Sequence, residues 1–249
     1  MELYEAFISS VPAHLRVTMA VRGRYQAYVE TEGGAGLASL PLPGKKPYGD
    51  AVVCTDWLGK PLRDLAAQLG SDDMALSALG CAAVNAWFNR RESMEALGVT
   101  LYPPEIDEGD VFRTLEPKCA GKLVSTVGHF HGGEKLAGMR ELRVFEKDPR
   151  PGDYPEREED RLLPGSDVVI ITGMALTNGT MPHILELCRD SQIVALSGPS
   201  VPVSPIWFDH GVTALFGTLC WDIPGCRKAM RYGGHKDTWK YMGKSVLRK

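Results

Sequence analysis

The run Asp167-Val168-Val169-Ile170-Ile171-Thr172-Gly173 has no polar face. Five consecutive β-branched residues suit a strand buried on both sides, and a glycine marks where it turns. Downstream, Gln192-Ile193-Val194-Ala195-Leu196-Ser197-Gly198 repeats the pattern after a helical stretch over 181–189, and Val212-Thr213-Ala214-Leu215-Phe216-Gly217 follows. Upstream, Leu123-Val124-Ser125-Thr126-Val127 stops at Gly128, and Leu142-Arg143-Val144-Phe145-Glu146 comes next. Apolar strands alternating with helices predict an α/β fold with a parallel sheet covered on both faces. Right-handed crossovers make a Rossmann-like strand order the economical arrangement for residues 111–249.

Residues 1–110 predict a smaller α+β domain. An amphipathic helix over 3–10 leads into β-rich segments at 15–21 and 25–30, and the glycine- and proline-rich 33–49 reads as a loop. Pro61 precedes Leu62, Leu65, Ala66 and Leu69 at helical spacing, and Gly70 stops them. Ser71 is the expected cap of the strongest helix. Asp72 and Asp73 follow in its first turn, and Met74, Leu76, Leu79, Ala82, Ala83, Trp87 and Phe88 form its apolar face. Asn85 and Asn89 share one side of that helix and predict either a tie to neighbouring backbone or a lining of an interdomain cleft. The stretch 102–109 reads as the linker. The basic end of the chain (Lys236, Lys240, Lys244, Arg248, Lys249) reads as a solvated tail.

The 249 residues carry a net charge of -3, which offers no general attraction to nucleic acid or to an anionic membrane. No apolar run approaches the ~20 residues of a membrane span, and the first residues lack a signal-peptide pattern, so the expected setting is the cytoplasm. The six cysteines are scattered without a Cys-x-x-Cys pair, which predicts free thiols rather than disulfides or a structural zinc site. A homodimer is the default assembly.

Ligands of open parallel sheets sit beyond the carboxyl ends of the strands. There the sequence places Gly128-His129-Phe130-His131-Gly132-Gly133, then Glu146, then Gly152-Asp153-Tyr154-Pro155, then Thr172-Gly173 with Asn178 and Thr180, then Ser197-Gly198-Pro199-Ser200. Glycine turns let backbone N–H groups approach an anion. His129 and His131, two positions apart, are candidate metal ligands, with His183 and His210 able to join them. Imidazole also suits His129 to acid–base chemistry, with Glu146 and Asp153 orienting polar groups. No Gly-x-Ser-x-Gly elbow, P-loop or dinucleotide fingerprint is present.

Gly80-Cys81-Ala82-Ala83-Val84-Asn85-Ala86, Val127-Gly128-His129-Phe130, Gly152-Asp153-Tyr154-Pro155, the 167–173 strand, and Ser197 to Pro202 with Asp209-His210-Gly211 occur in that order. Together they resemble the family known as the "putative heavy-metal chelation" domain. The resemblance implies an enolase-N-terminal-like domain joined to a Rossmann-like one, with a ligand site between them. It would draw on Asn85, Gly128, His129, Phe130, Glu146, Asp153, Thr172, Gly173, Gly198 and Pro199; the strand-end turns add Asn178.

Three readings stay open, the last a non-catalytic interaction module that keeps an ancestral cleft. In the first, the protein binds a small anionic molecule or metal chelate, with a divalent metal ion as cofactor and a role in metal or metallophore handling. In the second, it is an enzyme using a nucleotide-type ligand such as S-adenosylmethionine, a transferase or lyase for which Glu146 would hold the ribose.

Overall fold

The computed structural model describes residues 2–42, 46–106, 108–130, 136–233 and 235–249. The N-terminal part comprises α1 (Glu2–Ser10), β1 (Met19–Arg22), β2 (Gln26–Thr31), β3 (Gly34–Ser39), β4 (Val52–Val53), α2 (Leu62–Ala66), α3 (Met74–Phe88) and α4 (Arg91–Ala96). Its strands form an antiparallel sheet in the order β3-β2-β1-β4. β5 (Thr100–Tyr102) and α5 (Val111–Cys119) follow. Then come β6 (Leu123–Val127), β7 (Glu141–Glu146), β8 (Tyr154–Pro155), α6 (Glu159–Leu162), β9 (Val168–Thr172), α7 (Met174–Thr177) and α8 (Met181–Leu187). The chain closes with β10 (Ile193–Ser197), β11 (Ala214–Cys220), α9 (Ile223–Tyr232), α10 (His235–Trp239) and β12 (Met242–Arg248).

The larger sheet has eight strands in the order β5-β12-β11-β10-β9-β6-β7-β8. From β11 to β8 every pairing is parallel. β12 runs antiparallel to both β11 and β5. Its two faces are divided residue by residue: Val169 and Ile171 enter the core shared with α8, whereas Val168 and Ile170 enter the core shared with α5. This is the two-sided burial that the β-branched run requires.

Three sequence expectations need correction. Residues 34–39 are strand β3, not loop. Its small residues read as loop composition, but they let α3 lie flush on the sheet: a Cβ on Gly36 would collide with the backbone of Ala82 and Ala86. The basic C-terminus is not a free tail. Residues 242–248 form an inner strand whose Met242 and Val246 are buried, so Lys244 and Arg248 belong to a strand. Finally, α3 is capped by Asp73, whose carboxylate accepts from Ala75 N at 2.9 Å and Leu76 N at 3.1 Å. Ser71 instead accepts from Asp73 N.

The small sheet is buried on both sides. Ala27 and Val29 face the core around α3, whereas Tyr28 faces α9 with Cys226 and Met230. Glu30, also on that side, receives both guanidinium arms of Arg227 (Nε to Oε1 2.6 Å, Nη2 to Oε2 2.5 Å) and the Tyr28 hydroxyl at 2.6 Å. A second buried carboxyl, Glu159, opens α6 at 6% exposure. Burial first, then the nearby Glu156 charge, push its pKa up to about 7, against the opposing pull of His183 and Lys147.

Arg227→Ala should lower stability by about 2 kcal/mol in chemical denaturation, because Glu30 loses its counter-charge. The loss is smaller than for a wholly buried pair because Arg227 keeps part of its hydration. Pairing Glu30→Gln with Arg227→Met should recover most of it. For Glu159, the folded carboxyl titrates above its unfolded value, so its burial is tolerated below about 4.5 and increasingly opposed as pH rises through about 7. Glu159→Gln should therefore gain on the wild type between pH 5 and 8, by on the order of 3 kcal/mol at the upper end. A stability difference that stays constant with pH would refute this.

Candidate functional site

Parallel strands in register end together. Val127 pairs with Phe145 and Ile171, and Ser197 with Thr172 and Phe216, so the turns after β6, β7, β9 and β10 emerge along one edge. Adjacent turns also touch. A side chain at Gly128 would press on Thr172, and one at Gly173 on the backbone of Ser200 and Val201. Gly128 and Gly198 have φ of 98° and 117°, which other residues rarely adopt. The turns at 128, 172–173 and 198–200 thus form a continuous rim.

The amide nitrogens at the rim are already engaged. Gly128 N donates to Phe145 O at 2.9 Å, Gly173 N to Ser197 O at 2.9 Å, and Gly198 N to Phe216 O at 3.0 Å. The expectation that these N–H groups would receive an anion is corrected by that pairing: the sheet ladder extends one residue further and consumes them. His129 N donates to Glu146 Oε1 at 2.8 Å and Lys147 N to Glu146 Oε2 at 3.1 Å, so this carboxylate fastens the end of β7 to the β6 turn.

The exposed feature of the rim is His129. Its Nε2 lies 2.6 Å from Asp153 Oδ2, and the same oxygen accepts from Arg150 N at 2.7 Å. Burial opposes the ionised form of Asp153. The Arg150 amide and the His129 ring outweigh it and hold the carboxyl below its usual range. An anionic carboxylate therefore orients the imidazole from behind, leaving its other nitrogen for a ligand.

Other expected site residues stand differently. Phe130 packs edge-on against Phe112 with ring centroids 5.6 Å apart, on the α5 side of the sheet. Asn178 Oδ1 is occupied by Thr180 N (3.1 Å) and Thr180 Oγ1 (2.8 Å), a local turn ahead of α8. Thr180 sits at the cap position but makes no capping bond to the helix. His183 is paired with Asp160 at 2.6 Å, away from the pairing that His129 makes. His131 lies outside the described residues. Among the described residues, no group of three or more His, Cys, Asp or Glu could hold a metal ion.

Asn85 is fully buried, and its amide nitrogen donates to Leu37 O at 2.7 Å and Pro199 O at 2.9 Å. It ties the sheet and the β10 turn to α3, and among the described residues its Oδ1 has no hydrogen-bond partner. The tie belongs to a longer seam that the two asparagines only hint at. Ser77 donates to Thr177 O at 2.6 Å and Cys81 to Ser200 O at 3.4 Å, while Asn89 donates to Val201 O and Thr218 O and accepts from Val203 N. Positions 77, 81, 85 and 89 recur at i, i+4, and that spacing was the signal from which Ser77 and Cys81 could have been found.

Among the proteins similar to this chain are two solved structures and a curated protein. A protein of unknown function from Desulfitobacterium hafniense superposes with TM-score 0.84 at 27% identity, covering 100% of this chain and 97% of its own. A second, from Pyrococcus horikoshii, gives TM-score 0.76 at 19% identity over 99% of this chain and 98% of its own, and shares the fold. An uncharacterized protein of Methanocaldococcus jannaschii is 27% identical over 179 residues, which span 70% of this chain and 65% of that protein. Among the described residues, no helix is long and apolar enough to cross a membrane. Family descriptions of "Putative heavy-metal chelation" match residues 4–88 and 110–249, so the chain belongs to that family, with an enolase-N-terminal-like part and a Rossmann-like part.

Proposed function

We propose that the protein binds a metal chelate, a metal ion arriving with a small organic ligand, at the rim between residues 1–110 and 111–249. The observation that carries this is the His129–Asp153 pair, 2.6 Å apart and standing at the edge where four parallel strands end. Family membership and fold support a small-molecule or metal-related binding function. The rim supplies the finer argument: its glycine N–H groups are engaged within the sheet, whereas the oriented His129 imidazole keeps one ring nitrogen, a donor suited to a borderline metal rather than to an anion.

His129 would be the metal ligand or proton-transfer group, Asp153 the group that fixes its ring, and Glu146 the strut beneath it. Gly128, Thr172, Gly173, Gly198 and Pro199 would form the floor, with Asn85 holding Pro199 in place. Because the described residues contribute few metal donors here, the ion would take its remaining ligands from the molecule that carries it. The second reading, an enzyme for S-adenosylmethionine, draws on Glu146 ending the strand beside the Gly128 turn.

Metal analysis of untagged protein, followed by thermal shifts with nickel, citrate, nickel citrate and S-adenosylmethionine separately, tests both. Nickel citrate at 100 times its dissociation constant should add about 2.7 kcal/mol of stability. Asp153→Asn and His129→Ala should lose that shift, each measured against the variant's own melting without ligand. A shift from S-adenosylmethionine alone that survives His129→Ala would replace the proposal with the second reading. No shift from any metal-bearing probe would end it.

A further inference from the structure

A cavity outside the rim has no part in the reading above. It opens between the β1–β2 turn and the end of α9, with about 230 Å³ of space counted out to its mouth. Gly23 N donates to Gln26 O at 2.9 Å to close that turn, and Tyr48 N and Leu40 N hold the carbonyls of Arg24 and Tyr25 at its tip. On the far wall, Gly233 N donates to Ala229 O at 2.8 Å, and Thr238 Oγ1 meets the Met230 sulfur at 3.9 Å. The two walls touch, since a Cβ at Gly23 would fall 2.9 Å from Met230 Cε. Gln26 lines the cavity from the sheet. It lies two residues before Tyr28, which faces α9, so the two side chains share that side of β2. Gln26 is only 3% exposed, and among the described residues its Nε2 has no hydrogen-bond partner. A buried donor left unanswered is costly and rare. Arg24, exposed on the turn, makes no ion pair among the described residues.

We propose that this cavity binds the oxyanion group of a small molecule, a phosphate or a carboxylate, with Gln26 Nε2 donating from its floor and Arg24 pairing at its mouth. Both unused groups are donors and one is a permanent cation, so the missing partner is an acceptor with negative charge. No lining residue carries a carboxylate. Glu30, on the same side of β2, already receives Arg227 and Tyr28, and Asp237 is paired with Lys240 at 2.9 Å. Arg231, in the last turn of α9, offsets the negative end of that helix. Residues 223–249 carry eight lysines and arginines against one acidic residue, whereas the whole chain has a net charge of -3, so anions are drawn to this end of the protein. Size narrows the ligand further. The cavity is smaller than the ~300–1,000 Å³ of sites for drug-sized ligands, so it takes an oxyanion with a few attached atoms rather than a nucleotide.

Inorganic phosphate and acetate, titrated separately into isotope-labelled full-length protein at constant ionic strength, should be followed by nitrogen–proton correlation spectra. At least one of them should move the side-chain amide resonances of Gln26, identified by their absence from Gln26→Leu. A response to phosphate alone assigns a phosphate group, to acetate alone a carboxylate, and to both a general oxyanion site. Gln26→Leu should melt no lower than wild type, because it removes an unanswered donor, yet bind about tenfold more weakly. Arg24→Met should weaken binding about fivefold, and because Arg24 is exposed this variant decides the matter should Gln26→Leu fold poorly. His129→Ala should bind either anion as wild type does. No response to either anion, full affinity in Arg24→Met or in folded Gln26→Leu, or binding lost in His129→Ala would each overturn the site. The metal-chelate reading of the rim is tested by other probes, so the two can fail separately.

Discussion

The polar row along α3 is the contact on which the rest of the structure hangs. A helix buried along most of its length normally offers only apolar surface. Here Ser77, Cys81, Asn85 and Asn89 project on one line and hydrogen-bond the carbonyls of Thr177, Ser200, Pro199, Val201 and Thr218. These carbonyls belong to the last residue of α7, to the irregular segment that follows β10 and to β11. Buried carbonyls without partners would each cost about 1–3 kcal/mol. By answering them from a single rigid element, α3 fixes the loops of one sheet through a helix that packs on the other.

The consequence for the rim is asymmetric rigidity. On the α3 side, the 198–201 turn is held at three successive residues, and Ser39 N adds a bond to Ser200 Oγ at 2.8 Å. The opposite end of the rim depends on Glu146 and Asp153, whose carboxylates bind the backbone of the turns themselves. His129 stands between the two, fixed by its own N–H below and its ring partner to one side. A site whose floor is tied and whose one exposed titratable group is oriented needs little rearrangement to receive a ligand.

Much of this was legible in the sequence, and what was not has definite physical causes. β6, β9 and β10 follow from their β-branched runs, because nothing but a doubly covered strand buries them on both faces. The glycines at 128, 173 and 198 mark the strand ends, and His129 and Asp153 lie where the carboxyl-end rule puts them. β3 was hidden because Gly-Ala-Gly-Leu-Ala-Ser has the composition of a loop; only the pressure of α3 against Gly36 explains it. β12 was hidden by its lysine and arginine, of which Lys244 lies within the strand, paired with Thr218 and Tyr102 on its two sides, and Arg248 ends it. The engagement of the rim amides could not be read at all, since it depends on how far each ladder runs past its last strand residue.

Asn85 shows why the seam is built from amides. A buried carbonyl, Leu37 O, and a half-buried one, Pro199 O, converge on one helix position from the two halves of the protein. A serine has one hydrogen to donate, an aspartate none when ionised, and leucine or alanine would leave both carbonyls unanswered. An asparagine nitrogen carries two hydrogens on an arm short enough for a helix lying flush on β3, where glutamine would need extra room. The surplus is Oδ1, a buried acceptor without a partner, a cost of about 1–3 kcal/mol set against two bonds made. At Asn89 the same side chain is used without that cost, because Val203 N reaches its oxygen at 2.8 Å. The two positions differ in one neighbouring N–H, and that difference makes Asn85 the less settled joint, at the place where the small sheet, α3 and the rim meet.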